Sequence, residues 1–185
     1  MTSVKANLNR AVFLDRDGVL TPVFLKDQKP YAARTLEEFS LLPGIEGPLE
    51  SLSRAGFILL VVTNQPDISR GLMDRETLME MNRRLMLKLG GTCGIKKVYF
   101  CPHDDADLCQ CRKPKPGMLL QGAQEWNVDL SASFMVGDRA SDAAAGKAAG
   151  CKTLLIEAPY NKGALCDYRA RDLREAVRII LSLEN

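Results

Sequence analysis

The chain has 185 residues, 46% of them hydrophobic, which is enough to bury one sizeable core and matches the usual size of a single domain over 1–185. Its 25 lysines and arginines against 23 aspartates and glutamates leave a formal charge of +2, without the basic excess of a protein that binds nucleic acid by neutralising phosphates. The first seven residues lack the apolar core of a signal peptide, and no stretch approaches the ~18 apolar residues of a membrane span, so a cytoplasmic monomer with no membrane partner is expected.

Short apolar runs alternate with longer amphipathic ones, the rhythm of strands joined by crossover helices into a parallel sheet. Ala11–Leu14 reads as the first strand. Residues 20–43 carry Pro22, Pro30 and Pro43 and read as a long irregular loop, which at that length implies function. Ile45–Ala55 reads as a helix closed by Gly56, and Phe57–Val62 as a central strand, because a near-continuous aliphatic run fits burial on both faces. Asp74 caps a predicted helix reaching Leu89, with Leu78, Met81, Leu85 and Leu89 on one apolar side; its methionines read as core filler. Ile95–Phe100 is a third strand, Pro116–Trp126 a helix, Ser133–Val136 a fourth strand and Ser141–Ala149 a helix of small residues. Cys151–Ile156 is expected to close the sheet. Asp172 and Glu175 form a capping-box pattern ahead of an apolar face of Leu173, Ala176, Val177 and Ile180.

Ligands of an open parallel sheet gather at the carboxyl ends of its strands. There the first strand runs into Asp15-Arg16-Asp17-Gly18, the second into Thr63-Asn64-Gln65, and the fourth into Gly137-Asp138-Arg139-Ala140-Ser141-Asp142. An isolated D-x-D-G is as readily a polar turn. With Asp138 arriving from a neighbouring strand, however, the cluster offers hard oxygens suited to Mg²⁺. A second group, Cys101, His103, Cys109 and Cys111, has the spacing C-x-H-x5-C-x-C directly after the third strand. Three thiolates and an imidazole make a tetrahedral, structural Zn²⁺ set; the alternative is a loop with free thiols or a redox pair. The remaining cysteines, Cys93, Cys151 and Cys166, follow no partner pattern.

The ordered segments Phe-Leu-Asp15-Arg-Asp17-Gly, Val-Val-Thr63-Asn64, Arg112-Lys113-Pro and Val-Gly-Asp138-Arg-Ala-Ser-Asp142 resemble the four motifs of the haloacid dehalogenase (HAD) superfamily. The resemblance implies a three-layer α/β/α, Rossmann-like parallel sheet and an Mg²⁺-dependent phosphatase working through an aspartyl-phosphate. It makes Asp15 the nucleophile and Asp17 the general acid and base, with Thr63 and Lys113 holding the transferring phosphoryl group. Mg²⁺ would be held by Asp15, Asp138 and the backbone carbonyl of Asp17, with Asp142 in support behind them. The short intervals between motifs leave no room for a large cap domain, so the fold is expected to be cap-less, with a zinc-binding loop at 101–111.

That zinc loop, lying just before Arg-Lys-Pro, narrows the resemblance to the branch containing heptose 1,7-bisphosphate phosphatases and the histidinol-phosphate phosphatase domain. Arg112-Lys-Pro-Lys-Pro-Gly-Met118 is similar to the former. The five-residue spacer between His103 and Cys109 is similar to the latter, and Pro66-Asp67 departs from the small residues usual in the heptose branch. The expected substrate is a small phosphorylated metabolite, first a heptose 1,7-bisphosphate cleaved at C7 and alternatively histidinol phosphate, whose amine Asp104, Asp105 and Asp107 would meet. Asn64, Gln65, Arg70, Arg112 and Arg139 are candidate substrate contacts, the arginines because guanidinium forks match phosphate oxygens; Arg70 and Arg139 read equally as solvated charges. Other readings are a polynucleotide 3′-phosphatase, against which the near-neutral charge and 6% aromatic content stand, and a zinc-stabilised binding module with a vestigial site.

Overall fold

Among the residues described by the computed structural model, 8–26 and 29–184, the elements follow in the order β1 (Arg10–Leu14), β2 (Phe24–Lys26), β3 (Lys29–Tyr31), α1 (Glu46–Arg54), β4 (Phe57–Asn64), α2 (Arg75–Leu89), β5 (Ile95–Cys101), α3 (Gly117–Trp126), β6 (Phe134–Gly137), α4 (Ala140–Ala149), β7 (Lys152–Ile156), β8 (Tyr168–Ala170) and α5 (Leu173–Ser182). The segment 1–7, read above as lacking a signal sequence, lies outside these residues. No described helix is long and apolar enough to cross a membrane.

Ala11, Val12, Phe13 and Leu14 are all fully buried, so β1 must be covered on both faces. It sits inside a six-stranded parallel sheet ordered β5-β4-β1-β6-β7-β8. Side chains alternate across the pleat: Val12, Leu14, Leu59 and Val61 join a core with Leu49 and Leu52 of α1, Leu85 and Leu89 of α2, and Leu173 to Ile180 of α5. Ala11, Phe13, Leu60 and Val62 face the other way, onto Met118 and Leu119 of α3 and Ala145 of α4. These are the expected three layers. The strand order reverses between β5 and β6, which places the crevice for a ligand at the carboxyl ends of β1, β4 and β6.

Three expectations are corrected. Residues 20–43 are not wholly irregular: β2 and β3 pair antiparallel, with Phe24 stacked on Tyr31 at 5.4 Å. Pro30 is tolerated there because a two-stranded ribbon has outward positions that need no N–H. Cys151–Ile156 does not close the sheet, since β8 pairs in parallel beyond β7; three residues with Arg169 at the centre carry no apolar pattern to announce it. At α5 the Asp172 carboxylate accepts from the Glu175 N–H at 2.8 Å, but Glu175 reaches back to the N–H of Arg171 rather than of Asp172, so only half of the reciprocal box forms.

The small-residue helix α4 lies very close to β6 and β7. A Cβ on Gly146 would come within 2.6 Å of Met135 Cβ and 2.9 Å of Thr153 Cγ2, neither of them the end of a flexible chain. Helix propensity favours alanine by about 1 kcal/mol, whereas overpacking costs about 1–3 kcal/mol. Gly146→Ala is therefore expected to lower stability in urea titration despite the better helix former; a stabilised variant would show that α4 is free to lift.

Candidate active site

Four segments deliver the chemistry to one sheet edge. Asp15 follows β1, Thr63 is the last residue but one of β4, Asp138 follows β6, and Lys113 comes from the loop between β5 and α3; all four are buried. Lys113 Nζ lies 3.0 Å from Asp15 Oδ1, 2.6 Å from Asp142 Oδ1 and 2.8 Å from the carbonyl of Val62. Its backbone is clamped on both sides by Asn64, whose Oδ1 accepts from the Lys113 N–H at 3.0 Å while its Nδ2 donates to the Lys113 carbonyl at 2.9 Å. Burial pulls the ammonium's pKa down, but the carboxylates of Asp142 and Asp15 outweigh that and leave it above its ordinary value.

One oxygen each from Asp15, Asp138 and Asp142 converges within 4.8 Å. Burial, then the mutual repulsion led by Asp142, raises Asp15 well above the usual carboxylate range, with Lys113 opposing. Burial and Asp142 likewise push Asp138 up to about 6 against the pull of Tyr160 and Arg139. A divalent cation among them reverses that pressure. The residues fit one: the oxygens are hard, and Asp138 Oδ1 is buried with neither a hydrogen bond nor a cation in contact, whereas Asp142 Oδ1 at least touches Lys113. Gly18, at φ +92°, makes room for the site, because a Cβ there would overlap the Asp138 carboxylate.

The Asp17 carboxylate stands apart from this group. Its Oδ2 accepts from Gln65 Nε2 at 2.7 Å and Thr63 Oγ1 at 3.4 Å, its Oδ1 from Thr21 Oγ1 at 2.9 Å, and Arg16 Nε lies 3.3 and 3.2 Å from the two oxygens. Gln65 and Asn64, expected at the substrate, line the cavity but are bonded within the protein. Asp142 caps α4, accepting from the N–H groups of Asp138 and Arg139 at 3.2 and 2.9 Å. Composition and spacing did not single out Arg16, fully buried and tied to Asn82 of α2 at 3.2 Å. Nor did they single out Tyr160, which donates to Asp138 Oδ2, or Asn161, which donates to the Asp138 carbonyl at 2.7 Å. These partners come from distant segments, and only the fold joins them.

Above the aspartates lies a cavity of about 320 Å³, whose mouth carries Arg34, Arg70, Arg112 and Arg139. Arg70 makes a fork to Asp104, 2.7 Å on each arm, which holds that carboxyl down to about 2. Arg112 Nε is 2.7 Å from Asp105 Oδ1, and Arg139 donates to the Pro30 carbonyl at 3.2 Å. The zinc candidates stand beside it. Sγ–Sγ distances among Cys101, Cys109 and Cys111 are 3.2–3.6 Å, and His103 Nδ1 is 3.6 and 3.4 Å from Cys101 and Cys111. The edges of a tetrahedron around zinc measure ~3.5–3.7 Å, and no disulfide has sulfurs so far apart.

The HAD-hydrolase-like family model matches residues 110–174. D-glycero-β-D-manno-heptose-1,7-bisphosphate 7-phosphatase of Helicobacter pylori is 37% identical over 179 residues, covering 94% of this chain and 99% of that protein. The chain belongs to that phosphatase family. The Pseudomonas aeruginosa member is 39% identical over 149 residues, 79% of this chain and 80% of the relative. The fold agrees: the crystal structure of the B. bronchiseptica D,D-heptose 1,7-bisphosphate phosphatase, complexed with magnesium and phosphate, superposes with a TM-score of 0.78 at 29% identity, over 94% of this chain and 99% of that one. This is a phosphatase with an HAD-like core and no cap domain among the described residues, and a magnesium ion belongs in its aspartate cluster.

The Cys3His group closes all four positions of a tetrahedral metal, so this chain carries a structural zinc site beside its magnesium site. Metal analysis of dialysed protein should find about one zinc per chain, and Cys109→Ser should lower the melting temperature and release it. Zinc-free protein with unchanged melting would contradict the structural role.

Proposed function

We propose that this chain hydrolyses the C7 phosphate of D-glycero-β-D-manno-heptose 1,7-bisphosphate, with Asp15 as nucleophile. The observation that carries the reading is the convergence of Asp15, Thr63, Lys113 and Asp138 under four mouth arginines, in a chain whose near-full-length relatives carry that name. Asp15 Oδ1 accepts from the Arg16 N–H at 2.7 Å and touches Lys113, which leaves Oδ2 to attack phosphorus. Two like charges at ~4 Å repel by about 1 kcal/mol even in water and by more in a dry site, so a carboxylate approaches a phosphate only where cations offset both. Lys113 is one such cation, and Thr63 adds a hydroxyl beside it. Magnesium, held when bound by Asp15, Asp138 and the Asp17 carbonyl with Asp142 in support, supplies the remaining neutralisation and orients the phosphoryl oxygens.

In this reading Asp17 gives a proton to the departing sugar oxygen and then takes one from the water that cleaves the aspartyl-phosphate. Its carboxylate is surrounded by donors from Arg16, Thr21, Thr63 and Gln65, so a protonated Asp17 must turn at least one of them away. Arg70, Arg112 and Arg139 meet the second phosphate. The acidic residues expected to greet the amine of histidinol phosphate lie less well for it: Asp104 and Asp107 are outside the cavity lining, which Arg70 and Arg112 enter, and Asp107 accepts from the Asp104 N–H at 2.7 Å. The same reading makes the protein a one-domain monomer; its unpaired cysteines fit a cytoplasmic setting, and its modest charge fits the lack of a nucleic-acid partner.

Asp15→Asn is expected to abolish turnover of the bisphosphate with the fold intact by circular dichroism; near-normal rates in that variant would refute the nucleophile. Arg112→Ala should reduce kcat/KM for the bisphosphate by about 10-fold or more, and for histidinol phosphate by much less, because the lost contact is charge-assisted and made to the second phosphate. A wild-type preference for histidinol phosphate would move the assignment.

A further inference from the structure

Of the four mouth arginines, Arg139 donates to the Pro30 carbonyl, and the other three are already paired with carboxylates. Starting from β3 and ending in the zinc loop, charges alternate without a break: Arg34 Nε to Asp67 Oδ2 at 2.7 Å, Asp67 Oδ1 to Arg70 Nη1 at 3.6 Å, Arg70 to Asp104 at 2.7 Å, Asp104 to Arg112 at 3.9 Å, and Arg112 to Asp105 at 2.7 Å. Three guanidiniums and three carboxylates sum to zero. A ligand's second phosphate must therefore draw the arginines away from carboxylates already paired with them.

The three carboxylates differ in what they can do when that happens. The Asp105 side chain is 79% exposed and that of Asp104 31%, so both can turn into water as an anion arrives. The Asp67 side chain is 11% exposed. Its backbone is also pinned, since its carbonyl accepts from the N–H groups of Leu72 and Met73 at 2.8 and 3.1 Å. Its charge stays at the mouth whatever enters. A surface ion pair is worth little and yields readily to a better anion, whereas a fixed like charge beside the incoming phosphate continues to oppose it.

We infer that Asp67 is a specificity-determining residue: a fixed counter-ion between Arg34 and Arg70 that holds down the preference for a substrate bearing a second phosphate. The inference rests on the bisphosphate reading above. It also enlists Arg34, which the segment after β3 brings to the cavity wall over the Tyr31 ring, as part of the anion-binding mouth.

The test compares kcat/KM for the heptose 1,7-bisphosphate and for the same sugar bearing only the 7-phosphate, in wild type and Asp67→Asn. The amide keeps the shape and removes the charge. The ratio of bisphosphate to monophosphate should rise about 3–10-fold, through a lower KM for the bisphosphate, and the gain should shrink at high salt. An unchanged or lower ratio overturns the inference. If Asp67→Asn does not fold, Asp67→Ser serves, since it too removes the charge, and an unchanged ratio there overturns the inference. Asp104→Asn should raise the ratio less than loss of the Asp67 charge does, because Asp104 can turn into water; an equal or larger rise there overturns the fixed counter-ion role. Wild-type enzyme that turns over neither heptose phosphate would instead refute the substrate reading, and the inference with it. A wild-type preference that Asp67→Asn leaves unimproved refutes the counter-ion role alone.

Discussion

A buried ammonium in contact with two buried carboxylates is the constraint on which this site depends. Asp15, Asp138 and Asp142 would repel one another apart at the edge of the sheet, and among the described residues Lys113 is the cation inserted among them, 3.0 Å from Asp15 and 2.6 Å from Asp142. Removing one partner of such a group leaves an uncompensated buried charge, at about 3–5 kcal/mol, so the lysine and the aspartates are held in place by each other. Lys113 cannot reach this position from a regular element. It arrives on a loop whose backbone Asn64 grips at both the N–H and the carbonyl.

The zinc loop extends that constraint outward. Cys111, Arg112 and Lys113 are consecutive, so one short stretch of chain places a metal ligand, a mouth arginine and the buried ammonium. The loop is tied further by Lys115, which donates to the carbonyls of Leu108 and Cys109 at 2.9 and 2.7 Å. It is tied too by Gly117, where any Cβ would overlap the Gln110 carbonyl. A metal held by Cys111 therefore fixes the stretch of chain that carries Arg112 and Lys113. Without a cap domain to close over the cavity, the hairpin of β2 and β3, the turn after β4 and this loop form the walls.

Much of this was legible in the sequence because three of the key residues follow directly on an apolar run, whereas Lys113, on a loop, was legible only through the motif resemblance. Asp15, Thr63 and Asp138 stand where a buried strand ends, and the fold brings strand ends together; the zinc ligands were legible from their spacing alone. Arg16 and Arg34 were not. Arg16 lies in the same motif as Asp15, but nothing local says that its guanidinium turns inward to Asp17 and Asn82, 66 positions along. Arg34 sits in a segment without periodicity and meets its partner Asp67 only where the turn after β4 comes to the same wall. The acidic residues of the zinc loop were visible, yet whether they face a cationic ligand or the protein's own arginines depends on that same long-range meeting. β8 was missed for a simpler reason: three half-polar residues pair at a sheet edge on backbone hydrogen bonds, which leave no mark on composition.

The central claim is that phosphate passes through Asp15. Enzyme mixed with magnesium and radiolabelled bisphosphate, quenched in acid within milliseconds and treated with borohydride, traps an acyl phosphate wherever it formed. The account predicts label in the quenched protein and a reduced side chain at position 15, identified by mass spectrometry. Rapid turnover with no protein-bound label, or a trapped carboxylate at any other position, would contradict it.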